Sequence, residues 1–515
     1  ISYKTQEVVV DVARDYSKDG KTGKAGTFAI ALEEDNQQLG EVVVTGRRER
    51  RSDRSAVETV KNALGVLNVM SQQSIQLSPD VNVANVLQRV SGVTLERDAS
   101  GEASYAILRG MDKRYNYTLV NGVKIPSPDD KNRYVPLNIF PSDLMDRLVV
   151  AKSLTADMEG DAAGGVVDMV MKDAPSSFQL QANAAVGATD YFWKDGRDYL
   201  TTNRSDYTHK SPYEAFGPNY KAGMDDFKQG PVQLKSHSMP APNFVGGFSV
   251  GNRFWNNRLG VIVAGSVQNT FRGTERTYNS VKMASGEQAM YISNLHHRYY
   301  SMHDLTTGLH AKVDLSLGSH KLEWYNMYVR THSKGVRYNN GIGTEYIGAD
   351  SYTQDDEMRS LSQTQSIFAT NLKGTHHLTD RLTLDWSGIF SQAKEDDPDR
   401  TYITLTNTVS CTANTEGDAV AGSIWNGNNT ITKTLPKSAE RRFQHNKDTD
   451  WAGYLNLSYD MRLGQHADAL WKAGAQYRRK ERSNRYYSYI FNPVDISQQL
   501  DGNGYDQFAA ISWVC

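Results

Sequence analysis

The side chains able to do chemistry are scattered through this 515-residue sequence and do not fall at catalytic spacings. His296-His297 and His376-His377 are adjacent pairs, whose rings point to opposite faces of an extended strand, with no cysteine or carboxylate at metal-ligand spacing. Asp129-Asp130 and Asp396-Asp397 read as solvated loop carboxylates, with calcium the ion they would suit. Cys411 and Cys515 are too far apart in sequence to indicate a disulfide, a redox pair or a zinc centre. The expectation is a protein with no catalytic residues, no cofactor and no metal, and so not an enzyme.

Recognition of a solute is better supported. The connections Met111 to Asn116 and Pro126 to Tyr134 mix aromatic, basic and amide side chains. Aromatic faces beside hydrogen-bonding groups are what a sugar needs, and basic groups beside rings suit an anionic iron chelate equally well. Tyr115, Asn116, Arg133 and Tyr134 are the predicted substrate-binding residues. A large nutrient such as a glycan is the leading ligand, and a ferric chelate the alternative. Arg109 ends a strand in a region expected to be enclosed, where a charge must be paired, and Glu96 on the neighbouring strand is its predicted partner.

These residues sit in a glycine-punctuated module from about Pro79 to Lys172. Val83, Val86, Leu87 and Val90 share one helical face, with Asn82 able to cap the start and Gly92 able to take the left-handed position at the end. Asn121-Gly122 between two short apolar runs is a strong hairpin signal. Pro141-Ser142-Asp143 favours a helical turn, and Leu148-Val149-Val150 and Val166 to Met171 read as strands, so a small mixed sheet with short helices is predicted. Upstream, Glu41-Val42-Val43-Val44-Thr45 is an extended apolar run followed by an arginine cluster, a segment able to add a strand to a partner's sheet edge.

From about Phe178 the pattern changes to period 2. Leu322, Trp324, Asn326 and Tyr328 alternate with Lys321, Glu323, Tyr325 and Met327, and Trp451, Gly453, Leu455, Leu457 and Tyr459 share one face. Mean hydropathy of -0.58 excludes a helical membrane protein, whereas a transmembrane barrel hides its apolar residues at alternate positions. The 28 tyrosines and 8 tryptophans suit aromatic girdles, and a net charge of -2 gives no support to nucleic-acid binding. Short connections near 255–257, 318–319, 376–377 and 464–465 alternate with long polar ones over about 188–240, 273–300, 336–360 and 393–446, as in a barrel with short periplasmic turns and long outer loops.

Three ordered stretches carry a family resemblance: Leu87-Gln88-Arg89-Val90-Ser91-Gly92-Val93; Leu108-Arg109-Gly110 with Val120-Asn121-Gly122; and Pro141 to Met145 leading through Lys152-Ser153-Leu154-Thr155-Ala156-Asp157-Met158 to Gly164-Gly165. Together they resemble the plug domain of TonB-dependent outer-membrane receptors. The resemblance implies a mainly beta fold, in which a small mixed alpha/beta plug is followed by an antiparallel transmembrane beta-barrel. About ten strands are legible against about twenty-two for such transporters, so an incomplete barrel is expected. Residues 1–36 resemble the tail of a small beta-sandwich domain. The implied organisation is that remnant, a TonB-box-like segment and linker at 37–54, a plug at 55–173 and a partial barrel at 174–515, with neither a signal segment nor the remaining strands in the sequence. Glu41, Val42, Val43, Val44 and Thr45 would bind the TonB complex in the periplasm. The other implied partners are outer-membrane lipids, an extracellular nutrient and a surface lipoprotein. The implied function is TonB-dependent active transport, with a passive surface receptor as the rival.

Overall fold

The structure, a computed structural model, describes residues 52–515 except 64, 99, 156–157, 159, 161, 205–206, 229–231, 284–289, 349–350, 411–429, 464–466, 496–512 and 515. The strands predicted before residue 36, the Glu41–Thr45 segment and both cysteines lie outside the described residues.

The module folds largely as its local signals dictate. Ser52 caps α1 (Asp53–Lys61), which leads to β1 (Leu67–Ser71) and α2 (Gln72–Leu77). Asn82 caps α3 (Val83–Leu87) by accepting the Asn85 N–H at 3.0 Å, and Gly92 ends this stretch at φ 72°. β2 (Val93–Arg97) and β3 (Ala103–Leu108) pair as a hairpin. β4 (Asn116–Val120) and β5 (Val123–Lys124) flank the Asn121-Gly122 turn, whose φ angles of 53° and 80° are those of a tight hairpin turn. With β6 (Met145–Ala151) and β7 (Gly165–Met171) they complete a mixed sheet in the order β1-β6-β7-β4-β5, in which β4 runs parallel to β7. The turn after Pro141 is a single 3-10 turn, Ser142–Leu144. Leu87, Leu108, Leu137, Leu148 and Met169 are buried in the core of this unit.

The wall begins with β8 (Gln179–Gly187). An insert follows with α4 (Asp190–Trp193), β9 (Tyr199–Thr202), α5 (Pro212–Phe216) and β10 (Leu234–His237), in which β9 and β10 pair. Then come β11 (Asn243–Phe254), β12 (Leu259–Met283), β13 (Met290–Leu317), β14 (His320–Gly348), β15 (Ser351–His377), β16 (Leu382–Ser410), β17 (Thr430–Leu463) and β18 (Ala467–Pro493), with the two-residue β19 (Trp513–Val514) on β18. β8 pairs with β11 and the rest pair in sequence order, forming an antiparallel sheet that does not close. Side chains alternate between two sides. Gln268, His310, Asn446 and Arg482 reach backbone carbonyls of the small unit at 2.7–3.1 Å, and Tyr325, Met327 and Ile367 join its core. Trp324, Leu372, Trp451, Leu455 and Tyr477 are exposed on the opposite side.

Two expectations are corrected here. The long connections predicted over 273–300, 336–360 and 393–446 are mostly strand, because β12 to β18 run for 25 to 34 residues, far beyond the roughly ten that span a bilayer. The connection predicted over 188–240 is the structured insert, and it lies against the outward face of the extended strands. Phe192 meets Tyr199, Tyr199 meets Phe271 and Phe271 stacks on His303 at ring distances of 5.5, 5.6 and 4.3 Å. Further along, Phe227 and Val232 bury themselves with Val336, Met358, Ile403, Phe443 and Phe491. The extra strand length persists because side chains on both sides of it find partners.

Candidate functional site

Between the small unit and the inner side of the extended strands lies a cavity of about 1460 Å³. The small unit contributes Asp98, Glu102, Tyr105, Asp129 and Asp130; the wall contributes Arg272, Arg337, Arg359, Arg400, Tyr402, Arg442, Glu395 and Asp397, among others.

The strand register gathers the basic groups. Arg337, Arg359, Tyr402 and Glu440 form one cross-strand row over β14 to β17. The guanidinium carbons of Arg359 and Arg442 lie 4.6 and 4.1 Å from the Tyr402 ring centre. Arg442 forks onto Glu440, Arg337 pairs with Glu357 at 2.5 Å, and Arg400 pairs with Asp397. Arg359 has Glu357 only at 3.9 Å. Among the described residues, the buried Nε–H groups of Arg337, Arg359 and Arg400 have no hydrogen-bond partner. Such a row has donors to spare for an anion.

The opposite side of the cavity is a self-bonded loop. Asp129 accepts the N–H groups of Lys131 and Asn132 at 2.9 and 2.7 Å and a hydrogen bond from the Tyr105 hydroxyl at 2.8 Å. Burial, reinforced by the Asp129 charge, pushes the Tyr105 hydroxyl far above its ordinary pKa, so it stays a donor. Asn446 and Arg482 hold the carbonyls of Pro128, Asp129, Asp130 and Asn132. Asp98 accepts Ser100 and Glu102 N–H groups at 2.9 and 3.0 Å, yet burial raises its pKa.

The predicted site residues stand around this cavity and do not line it. Tyr115 is exposed beneath Arg114, Asn116 donates to the carbonyl of Ala106 at 3.1 Å, and Arg133 is exposed. Tyr134 packs edge-on against Tyr105 at 4.9 Å, with the Lys113 ammonium over both rings, and touches the cavity only through Tyr105. The pairing of Arg109 with Glu96 is corrected: Glu96 bonds Lys113, and Arg109 donates to the carbonyls of Ala163 and Gly164. The register explains it, since Glu96 stands opposite Tyr105 whereas Arg109 lies beyond Leu108, opposite Gly92. Asp396 and Asp397 belong to β16 and not to a loop. The wall arginines fell within stretches read as loops; alternation continued past Val329 would have placed Arg337 on the same side as Tyr325 and Met327.

Residues 59–166 match the sequence profile of the TonB-dependent Receptor Plug Domain. The chain therefore carries the plug domain of a TonB-dependent receptor. The small unit is that plug domain. A vitamin B12 transporter, BtuB, of Photobacterium profundum is 25% identical over 140 residues, which cover 27% of this chain and 23% of that protein. The matched stretch thus spans about a quarter of that relative's length. Among solved structures, the ferric citrate transporter FecA is 11% identical with a TM-score of 0.31, covering 85% of this chain and 79% of that chain. The siderophore receptor PirA from Acinetobacter baumannii is 12% identical with a TM-score of 0.29, covering 83% and 79%.

Proposed function

We propose that this receptor takes an anionic, chelate-type solute into the cavity between plug and wall and imports it with energy delivered through the TonB complex. The observation that carries the reading is the row of Arg337, Arg359 and Tyr402 beside Arg442, in which Arg359 lacks a close carboxylate. A ferric polycarboxylate or catecholate offers the oxygens such a row would bind. The glycan reading is the weaker one, because the faces a sugar ring would stack on at Tyr402 are flanked by guanidinium groups. Glu41–Thr45 is proposed as the segment offered to TonB, ahead of a plug at 55–173 and a wall from 174.

Equilibrium binding and cellular uptake of ferric polycarboxylates, ferric catecholates and neutral glycans by the complete receptor test this. A ferric chelate should bind, and Arg359→Ala should weaken it; tighter binding of a neutral glycan rejects the reading. Deleting Glu41–Thr45 should abolish uptake while surface binding persists, and undiminished uptake would show a passive receptor instead.

A further inference from the structure

The plug cavity is not uniformly basic. Among the described residues its lining carries seven carboxylates against six basic side chains. Where β15 to β18 line it, the two kinds are gathered at different heights. Gln365, Glu395, Asn446 and Asn484 form one cross-strand row on the inner side. Asp397, Gln444 and Tyr486 form the next and Arg400, Arg442 and Ser488 the one beyond, after which comes the row of Arg359 and Tyr402.

The Glu395 row holds the plug loop. Asn446 donates to the Pro128 carbonyl at 2.7 Å and Asn484 to the Asp130 carbonyl at 3.0 Å. The loop's own acids are thereby brought to the wall's, and the charges of Asp130, Asp397 and Asp129 all bear on Glu395. Bases do not answer them evenly. Glu395, 5% exposed, accepts the Gln365 amide at 2.6 Å and has no ion pair among the described residues. Asp397, 2% exposed, meets Arg400 through Oδ2, and its buried Oδ1 has no partner among the described residues. Arg482 reaches this loop but is turned to the carbonyls of Asp129, Asp130 and Asn132, and Lys131 is exposed. Carboxylates crowded away from water stay ionised together only with a cation among them.

Arg359 and Gln365, the residue opposite Glu395, are six positions apart on β15. That is about 20 Å of strand, so the acidic end and the arginine row are roughly 15–20 Å apart across one cavity.

We propose that the solute is amphoteric: its anionic, iron-binding oxygens meet the arginine row, and a protonated amine at its other end sits among Glu395, Asp397 and Asp130. The inference rests on the chelate reading above and narrows it to chelates with a cationic arm. An ammonium brings three donors to acceptors such as the Asp397 Oδ1 and supplies the positive charge that the neighbouring bases do not. A hydroxyl would bring donors without charge. Among the described residues no three of the acids and histidines are placed to hold a metal ion, so the cation is an organic one. Glu395 and Asp130 are then specificity-determining residues, whereas Arg359 serves any anionic chelate.

The test uses two ferric catecholates alike except for a terminal primary amine on a linker of that length, free in one and acetylated in the other. They are titrated against the complete protein in detergent at neutral pH. The free amine should bind about ten- to a hundredfold more tightly. The double variant Glu395→Gln, Asp130→Asn should bring the ratio of the two affinities to about one. Arg359→Ala should weaken both chelates and keep the ratio. A third chelate, with its amine beside the iron-binding oxygens, should gain nothing over its acetylated form. Equal affinities for the unaltered protein overturn the cationic arm and leave the chelate reading standing, while binding of neither chelate overturns both. A ratio that survives the double variant, or an equal gain from the amine placed beside the iron, shows that solute charge alone is sensed and overturns the acidic end as its site.

Discussion

The two faces of the extended strands use the same residue types to opposite ends. On the outward face, Arg204 of the insert and Arg441 of β17 converge on one carboxylate, Asp399, and their side chains and its own are almost wholly excluded from solvent. Arg441 donates Nε and Nη2 to it at 2.6 and 2.7 Å, while Arg204 binds the Asp399 carboxylate and carbonyl and the Thr401 hydroxyl. On the inner face, Arg359 has no carboxylate nearer than Glu357 at 3.9 Å among the described residues. Arginines closed on a shared buried carboxylate hold the insert to the wall; an arginine without a close carboxylate faces a cavity. Buried charge serves cohesion in the first case and, in the second, is available for the proposed recognition of a solute.

Asp399→Asn tests the first half of this contrast and should have the largest effect. Asparagine tolerates the positive φ of 52° at this position, so the loss is one of charge and not of backbone fit. Two buried guanidinium groups would lose their counter-charge, a cost of about 3–5 kcal/mol. A lowered thermal transition with early protease cleavage within 188–242 is the expected result; an unchanged transition would show that the triad holds nothing. The second half is tested by Arg359→Ala, which should weaken binding of a ferric chelate by about 1.5–3 kcal/mol, the value of hydrogen bonds to a charged group. Its thermal transition should stay within error of the parent. If stability falls as far as affinity, Arg359 is a structural residue like Arg441 and the contrast collapses.

The plug was legible in the sequence because its signals are local. Asn82, Gly92 and Asn121-Gly122 act on their own few residues, and the structure has a helix start, a left-handed end and a tight turn at those places. The wall's alternation was equally legible through the membrane band, where apolar and polar positions differ sharply. Beyond that band both sides are mixed in polarity, so the outer parts of β12 to β17 read as loops and the arginine row went unseen. The Arg109–Glu96 pairing failed for a related reason: which carboxylate meets which base depends on register, and Lys113, seventeen residues from Glu96, comes to it only through the fold. Nothing near Arg204 in the sequence points to Asp399, which lies 195 residues away.

A smaller effect separates backbone strain from charge inside the plug. Gly122 has φ 80°, and a Cβ there would meet nothing within 4 Å. Gly122→Ala therefore tests conformational preference alone and should cost about 1 kcal/mol in denaturant unfolding. A loss several times larger would mean that the turn is packed in some way that its open surroundings do not show.

The last and smallest effect extends the comparison to a half-buried carboxylate that no base neutralises at close range among the described residues. The Asp168 carboxylate accepts the Gly122 N–H at 2.9 Å. Burial raises its pKa, against the opposing pull of that hydrogen bond and of the more distant Arg147 charge. Below the ordinary aspartate range both folded and unfolded chains carry the group neutral, and ionisation costs the fold nothing. As pH rises past that range the unfolded chain ionises first, so the plug loses stability until the folded-state value is passed, after which the loss is complete. Asp168→Asn keeps a carbonyl oxygen for the Gly122 N–H and removes the ionisation. The variant should match the parent at about pH 3, where the parent carboxyl is also neutral, and exceed it modestly at neutral pH. Removing the charge at Asp399 should destabilise and removing it at Asp168 should stabilise, because only the first has arginines placed to use it. A stability difference constant across pH would trace the Asp168 effect to packing and not to charge.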